Sequence, residues 1–188
     1  DLPVTVRKNF IPEDERNVLY EDPSGHGTAV AAIAAAGGRL LQGQYQGVAP
    51  ESELLIVKMG TPMPDSFPKT TELMRAMAYV IKKAVEMGKP LAVNLSFGNT
   101  YGSHEGTSLV ERFLDNAAEI GRNVVCVGSG NEGAAGGHVS GSFGTNTGIS
   151  QSRQIELGVG NYQTAFSVQL WKEYVDIFGI ELISPGGR

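Results

Sequence analysis

The sequence predicts an α/β fold with a partial parallel sheet, followed by the start of an antiparallel β segment. Three observations predict it. Apolar runs of strand length stand at Glu53–Lys58, Leu91–Leu95 and Asn123–Val127, each continuous rather than alternating, as strands covered on both faces are. Helix-length segments with short connections separate them, and strand–helix–strand order means right-handed parallel crossovers. From about residue 150 the texture changes: Ile155–Val159, Ala165–Trp171 and Val175–Ile183 are short, partly alternating runs with no helix between them. We therefore expect two domains, 1–150 and 151–188, joined through a linker rich in Gly, Ser and Thr at 136–150.

Taken in order, Val4–Val6 reads as a short strand and Pro12–Arg16 as a charged loop. Residues 25–37 read as a helix ended by Gly37-Gly38. Ser24 and Thr28 offer hydroxyls to cap its first turn. Its alanines bring helix propensity without bulk, so it is expected to lie buried against its neighbours. A loop closes on Gly47-Val48-Ala49-Pro50 before the Glu53–Lys58 strand. Residues 60–69, with three prolines, read as a surface loop. Thr70 or Thr71 then caps a helix running to about Met87, whose Leu73, Met77, Val80, Ile81 and Ala84 form one stripe; Gly88 ends it and Pro90 follows. After the Leu91–Leu95 strand, a loop from Asn99 to Gly106 leads to a helix from about Ser108 to Ile120, with Leu109, Val110, Phe113, Leu114, Ala117 and Ala118 on its apolar face. The three strands in residues 155–183 are too few for a satisfied sandwich.

Composition narrows the function. Of 188 residues, 41% are hydrophobic and 19% charged, ordinary globular usage that supplies a core. Net charge is −5 and the 15 Lys and Arg do not cluster, so neither nucleic acid nor an anionic membrane surface is indicated. No apolar run approaches the roughly 18 residues of a membrane span, and residues 1–20 carry no signal-peptide pattern. The single cysteine, Cys126, excludes an internal disulfide and a multi-cysteine metal site. Its apolar context predicts a buried, inert thiol. No dinucleotide or phosphate loop is present, so an unrelated doubly wound ligand-binding domain accounts for the element order alone, and no cofactor is expected.

Three stretches can carry chemistry. His26 stands between two glycines at the head of the alanine helix. Alone it reads as an ordinary histidine in a capping loop, or as an imidazole poised for general base work. Ser96-Phe97-Gly98 and the segment around Asn131 leave the carboxyl ends of strands, where open parallel sheets build their sites. A strand edge there pairs with extended peptide. The Asn131 side-chain amide can donate to a developing oxyanion, although Gly-Asn-Glu-Gly is also simply a turn sequence.

Together these stretches resemble the subtilases, the subtilisin-like serine peptidases. Gly25–Ala31 looks like the family's histidine motif, and Gly47–Pro50 with the strand ending at Val57-Lys58 like the segment after it. Asn94–Gly98 looks like the substrate-binding strand, and Gly128–Gly133 like the oxyanion-hole segment. The four stand in family order. The resemblance implies a subtilisin-like three-layer fold and serine endopeptidase activity, with His26 as general base and acid and Asn131 as oxyanion donor. It implies that Ser96, Phe97 and Gly98 pair with the substrate backbone, and that Gly128, Ser129 and Gly130 wall the pocket for the residue before the scissile bond. The partner implied is a polypeptide, and the location secreted or spore-associated. Residues 97–108 are similar to the branch that includes clostridial spore-germination proteases. A β-rich jelly-roll domain is inserted after the oxyanion segment in that branch, and residues 153–188 look like its opening strands.

The chain also departs from the pattern. Asp1 is followed by Leu-Pro and lacks a preceding strand, so it does not match the orienting aspartate, which is expected upstream. Gly-Thr-Ser-x-Ala is absent. Thr107-Ser108 precedes the oxyanion segment and has the wrong successors, so Ser108 is expected to be a helix cap. Residues 1–188 by themselves are expected to be inactive, because the triad works as a unit. A pseudopeptidase that binds or signals is the alternative. His104 and His138 read as surface residues in glycine-rich loops, and no metal site is expected. An interrupted sheet leaves open strand edges, through which the chain is expected to self-associate.

Overall fold

The structure, a computed structural model, describes residues 4–9, 22–39, 42–59, 69–96, 98, 100–144 and 151–187. Expectations placed on Asp1, Pro12–Arg16, 60–68, Phe97 and 145–150 fall outside these residues. Seven elements follow in order: β1 (Val4–Asn9), α1 (His26–Ala35), β2 (Leu54–Lys58), α2 (Thr70–Met87), β3 (Leu91–Leu95), α3 (Leu109–Glu119) and β4 (Asn123–Val127). All strand pairing is parallel. β1 pairs with β2, from Val4 opposite Leu54 to Asn9 opposite Lys58, with a register shift between Val4 and Val6. β3 pairs with β4, from Leu91 opposite Asn123 to Leu95 opposite Val127. The α/β order read from the sequence is observed, and its sheet appears as two parallel pairs.

The chain divides into two units, Asp1–Gly133 and Ala134–Arg188; the elements of the α/β unit all lie within the first. Its core is built on α2. Leu73, Met77, Val80 and Ile81 are buried on one stripe, joined by Leu95 of β3 and Ala117 of α3. Met77 is the most enclosed, at 2% exposure. Leu55 and Val57 of β2, Val93 of β3, Val125 of β4 and Phe113 of α3 pack against this cluster. An apolar cavity of about 140 Å³ lies between β2, β3 and α2, lined by Leu55, Val57, Leu73, Met77, Val93 and Leu95 among others.

Both later helices begin on carboxylates. The Lys69 N–H donates to the Glu72 carboxylate at 3.3 Å at the head of α2; the cap position is Lys69, and Thr70, expected as a cap, is instead the first helical residue. At α3 the Ser108 hydroxyl accepts from the Glu111 N–H at 3.4 Å and the Glu111 carboxylate accepts from the Ser108 N–H at 2.9 Å. This is the reciprocal capping box of the Ser-x-x-Glu pattern, and it makes Ser108 the cap expected of it.

Three burial expectations are corrected. Helix α1 is not enclosed: only Ala35 is buried, and Ile33 is 71% exposed. Small residues permit close packing without compelling it: the Gly47–Ala49 segment covers the end of this helix, and its first turn stays exposed. β3 and β4 are not covered on both faces: their burial alternates, with Ala92, Asn94, Val124 and Cys126 outward. Cys126 is accordingly exposed, on the open face of an edge strand whose inward positions are Asn123 and Val125.

In the second unit, hydrogen-bonded turns close at Gly160–Gln163, Glu173–Asp176 and Ser184–Gly187. They fall near the ends of the runs expected as strands, the second taking in Val175 and Asp176 of the third run. The antiparallel strands themselves are not formed among the described residues. Three short runs that expose Leu157, Phe166, Trp171, Ile177 and Leu182 have no further sheet against which to bury a face. The Phe143 and Phe178 rings do meet, 5.5 Å apart.

Candidate active site

The first candidate is built at the head of α1. Gly25 occupies the cap position with φ 70°, a left-handed conformation that glycine adopts without strain, and contributes no side-chain cap. The capping comes from outside the helix. One carboxylate oxygen of Asp22 accepts from the Thr28 N–H at 2.7 Å and from the Thr28 hydroxyl at 2.8 Å. Its other oxygen accepts from the Ser24 hydroxyl at 3.0 Å, and Ser24 Oγ in turn accepts from the His26 N–H at 3.2 Å. The Gly25 N–H closes the turn onto the Asp22 carbonyl at 3.0 Å. Bonds from the Thr28 N–H, then from its hydroxyl, hold the Asp22 carboxyl below the usual carboxylate range. Of the two hydroxyls expected to cap this turn, Ser24 holds the His26 amide, whereas Thr28 donates its proton to Asp22. Sequence reading missed Asp22; the signal for it was an acidic side chain opening the Asp-Pro-Ser-Gly turn, the kind of residue that favours helix starts.

The far end of α1 is closed by the second motif. The N–H groups of Gly47, Val48 and Ala49 donate to the carbonyls of Ala36, Ile33 and Ala34 at 2.8, 3.0 and 2.8 Å. Gly47–Ala49 thus satisfies carbonyls that a helix end leaves unpartnered.

The other two stretches meet at the carboxyl ends of β3 and β4. Beyond the last pair, Leu95 opposite Val127, the Gly128 N–H donates to the Leu95 carbonyl at 3.0 Å. The start of Gly128–Gly133 is thereby set beside Ser96. The Asn94 side-chain amide donates to Ser96 Oγ at 2.8 Å. Gly98, Gly128, Ser129, Gly130 and Asn131 are exposed and irregular, with Gly130 at φ 91°; Phe97 lies outside the described residues. His26 is exposed too. Among the described residues no hydrogen bond joins it to Ser96–Gly98 or to Asn131, so two of the three stretches are brought together and the third stands on its own helix.

His104 and His138 are exposed. Among the described residues no group of His, Cys, Asp and Glu is arranged to hold a metal ion, and no helix is long and apolar enough to cross a membrane.

Residues 4–172 match the model of the subtilase family. Among solved structures, the chain is similar to the Clostridium perfringens CspB protease, with a TM-score of 0.59 and 39% sequence identity, over 63% of this chain and 25% of that one. The chain thus spans about a quarter of the length of that protein. Its helices and parallel strand pairs agree with a subtilisin-like α/β fold.

Proposed function

The chain belongs to the subtilase family, and from this we propose that it is part of a serine endopeptidase. His26 takes the proton of a serine hydroxyl as its oxygen attacks the scissile carbonyl, then delivers that proton to the leaving amine. Asn131 donates its side-chain amide to the oxyanion. The edge at Ser96, Phe97 and Gly98 pairs with an extended polypeptide, and Gly128, Ser129 and Gly130 wall the pocket for the residue before the scissile bond.

The observation that carries this reading is the Gly128-to-Leu95 hydrogen bond. It sets the start of the oxyanion segment against the end of the strand that leads into the substrate edge. We place the nucleophile and the orienting carboxylate outside residues 1–188. The chain holds no Gly-Thr-Ser-x-Ala run, Ser108 is engaged as the α3 cap, and both carboxylate oxygens of Asp22 are committed to Thr28 and Ser24. Residues 151–188 we read as the opening of an inserted β-rich domain, a reading that the turns at Gly160–Gln163 and Ser184–Gly187 support.

A fluorophosphonate probe applied to the full-length protein tests the assignment. One serine should be labelled, and Asn131→Ala should lower kcat by roughly 10²–10³. A well-folded full-length protein that resists the probe is a pseudopeptidase. Residues 1–188 alone should not turn over a peptide ester, and measurable turnover by them would overturn the placement of the nucleophile.

A further inference from the structure

We propose that Asp22 is a positioning residue for His26, a role that rests on the reading of His26 as the general base. The imidazole sits at the first residue of α1, so the course of the backbone through that turn decides where the ring stands. Among the described residues, no tertiary packing sets that course. Residues 22–29 are all exposed, and the only buried residue of α1 is Ala35, at its opposite end. What holds the turn is hydrogen bonding, and among the described residues its side-chain bonds lead to one carboxylate. Asp22 grips Thr28 directly, through both its amide and its hydroxyl. It grips His26 through Ser24, whose hydroxyl donates to Asp22 and accepts from the His26 N–H. The base is therefore held from the residue two before it and from the residue two beyond it.

The intervening Gly27 fits this clasp: a Cβ there would stand 3.5 Å from the nearer Asp22 oxygen, in ordinary contact. The negative charge also suits the N-terminal end of a helix. With both oxygens engaged, Asp22 acts on the backbone under His26 and leaves the ring to a different carboxylate. A base displaced by about 1 Å loses roughly a hundredfold in rate, so a clasp of this kind bears on catalysis even though it touches no substrate.

The test uses Asp22→Ala, Asp22→Asn and Ser24→Ala in the full-length protein, with kinetics on a peptide ester. Asp22→Ala should lower kcat roughly tenfold to a hundredfold with KM little changed. Asp22→Asn should recover most of that loss, because the amide oxygen still accepts from the Thr28 N–H. Ser24→Ala, which cuts only the link to the His26 amide, should fall between them, and it keeps the question answerable if Asp22→Ala does not fold. Unchanged kcat in both Asp22→Ala and Ser24→Ala, with a lowered melting temperature, would make Asp22 a helix cap only and overturn the proposal. If the full-length wild type shows no turnover, the peptidase reading fails, and ring NMR of isotope-labelled His26 in residues 1–188 still decides the positioning role. One ordered ring signal in the wild type that broadens or averages in Asp22→Ala supports the clasp, and identical ring signals overturn it.

Discussion

Ser108 shows how much one residue can be read from its neighbours. Ser-x-x-Glu before an apolar run announces a capping box, and the structure forms it with both reciprocal bonds. Ser108→Ala should lower stability by about 1 kcal/mol in a urea titration. Asp22 shows the opposite case. Its partners lie two and six residues ahead and its capping is delivered from outside the helix, so the acidic residue opening the Asp-Pro-Ser-Gly turn signals a helix start without showing which groups it holds. The two carboxylates share a pH dependence. Bonds from Ser108, through its side chain first and then its backbone, depress Glu111, and bonds from Thr28 depress Asp22. A carboxylate depressed in the folded state contributes stability above its ordinary range and loses that contribution as pH falls through the folded value. The Thr28 and Glu111 amide shifts, followed by NMR, should therefore move with midpoints below those of unperturbed Asp and Glu. A Thr28 midpoint at the ordinary aspartate value would remove the Asp22 clasp.

At the scale of elements, what is periodic was legible and what depends on a covering layer was not. The α2 stripe of Leu73, Met77, Val80 and Ile81 follows from 3.6-residue spacing alone, and it is the core. Met77→Ala removes the most enclosed of these side chains and should cost about 2–5 kcal/mol. Helix α1 was legible as a helix, because alanine favours one whatever its surroundings. Its burial was not, since a small residue carries no sign of what lies against it. The same holds for Cys126: an apolar strand sequence states that a face can be covered, not that it is. The Gly47 segment has a physical reason that its family likeness did not supply. A Cβ on Gly47 would stand 2.5 Å from the Ala35 and Ala36 amide nitrogens and 2.8 Å from the Ala32 carbonyl oxygen. All three are backbone atoms and cannot swing aside. Gly47→Ala should therefore lower stability by about 1–3 kcal/mol, read as a shifted urea midpoint. An unchanged midpoint would mean that the α1 end does not depend on this close approach.

At the scale of the molecule, the two parallel pairs carry the argument. Among the described residues β2 is paired only by β1, and β3 only by β4. The cavity lined by Leu55, Val57, Val93 and Leu95 over the α2 stripe lies between them. Among the described residues no strand pairs with the second edge of β2 or of β3, and parallel strands are found almost only within covered, multi-stranded sheets. The subtilase likeness reaches a quarter of the CspB protease chain, which is consistent with a sheet assembled from more polypeptide than residues 1–188. Without that polypeptide, the simplest partner for an open edge is another copy. Residues 1–188 should therefore elute from a sizing column as a species larger than the monomer, in proportions that rise with concentration. A reductant must be present throughout, because the exposed Cys126 could otherwise link two chains. Ala92 is exposed on β3 and lines the cavity, so Ala92→Lys sets a charge on that edge, the device by which natural edges resist pairing. The variant should shift the profile toward monomer. A wild-type chain that is monomeric at every concentration, or association that survives Ala92→Lys unchanged, would exclude pairing through this edge.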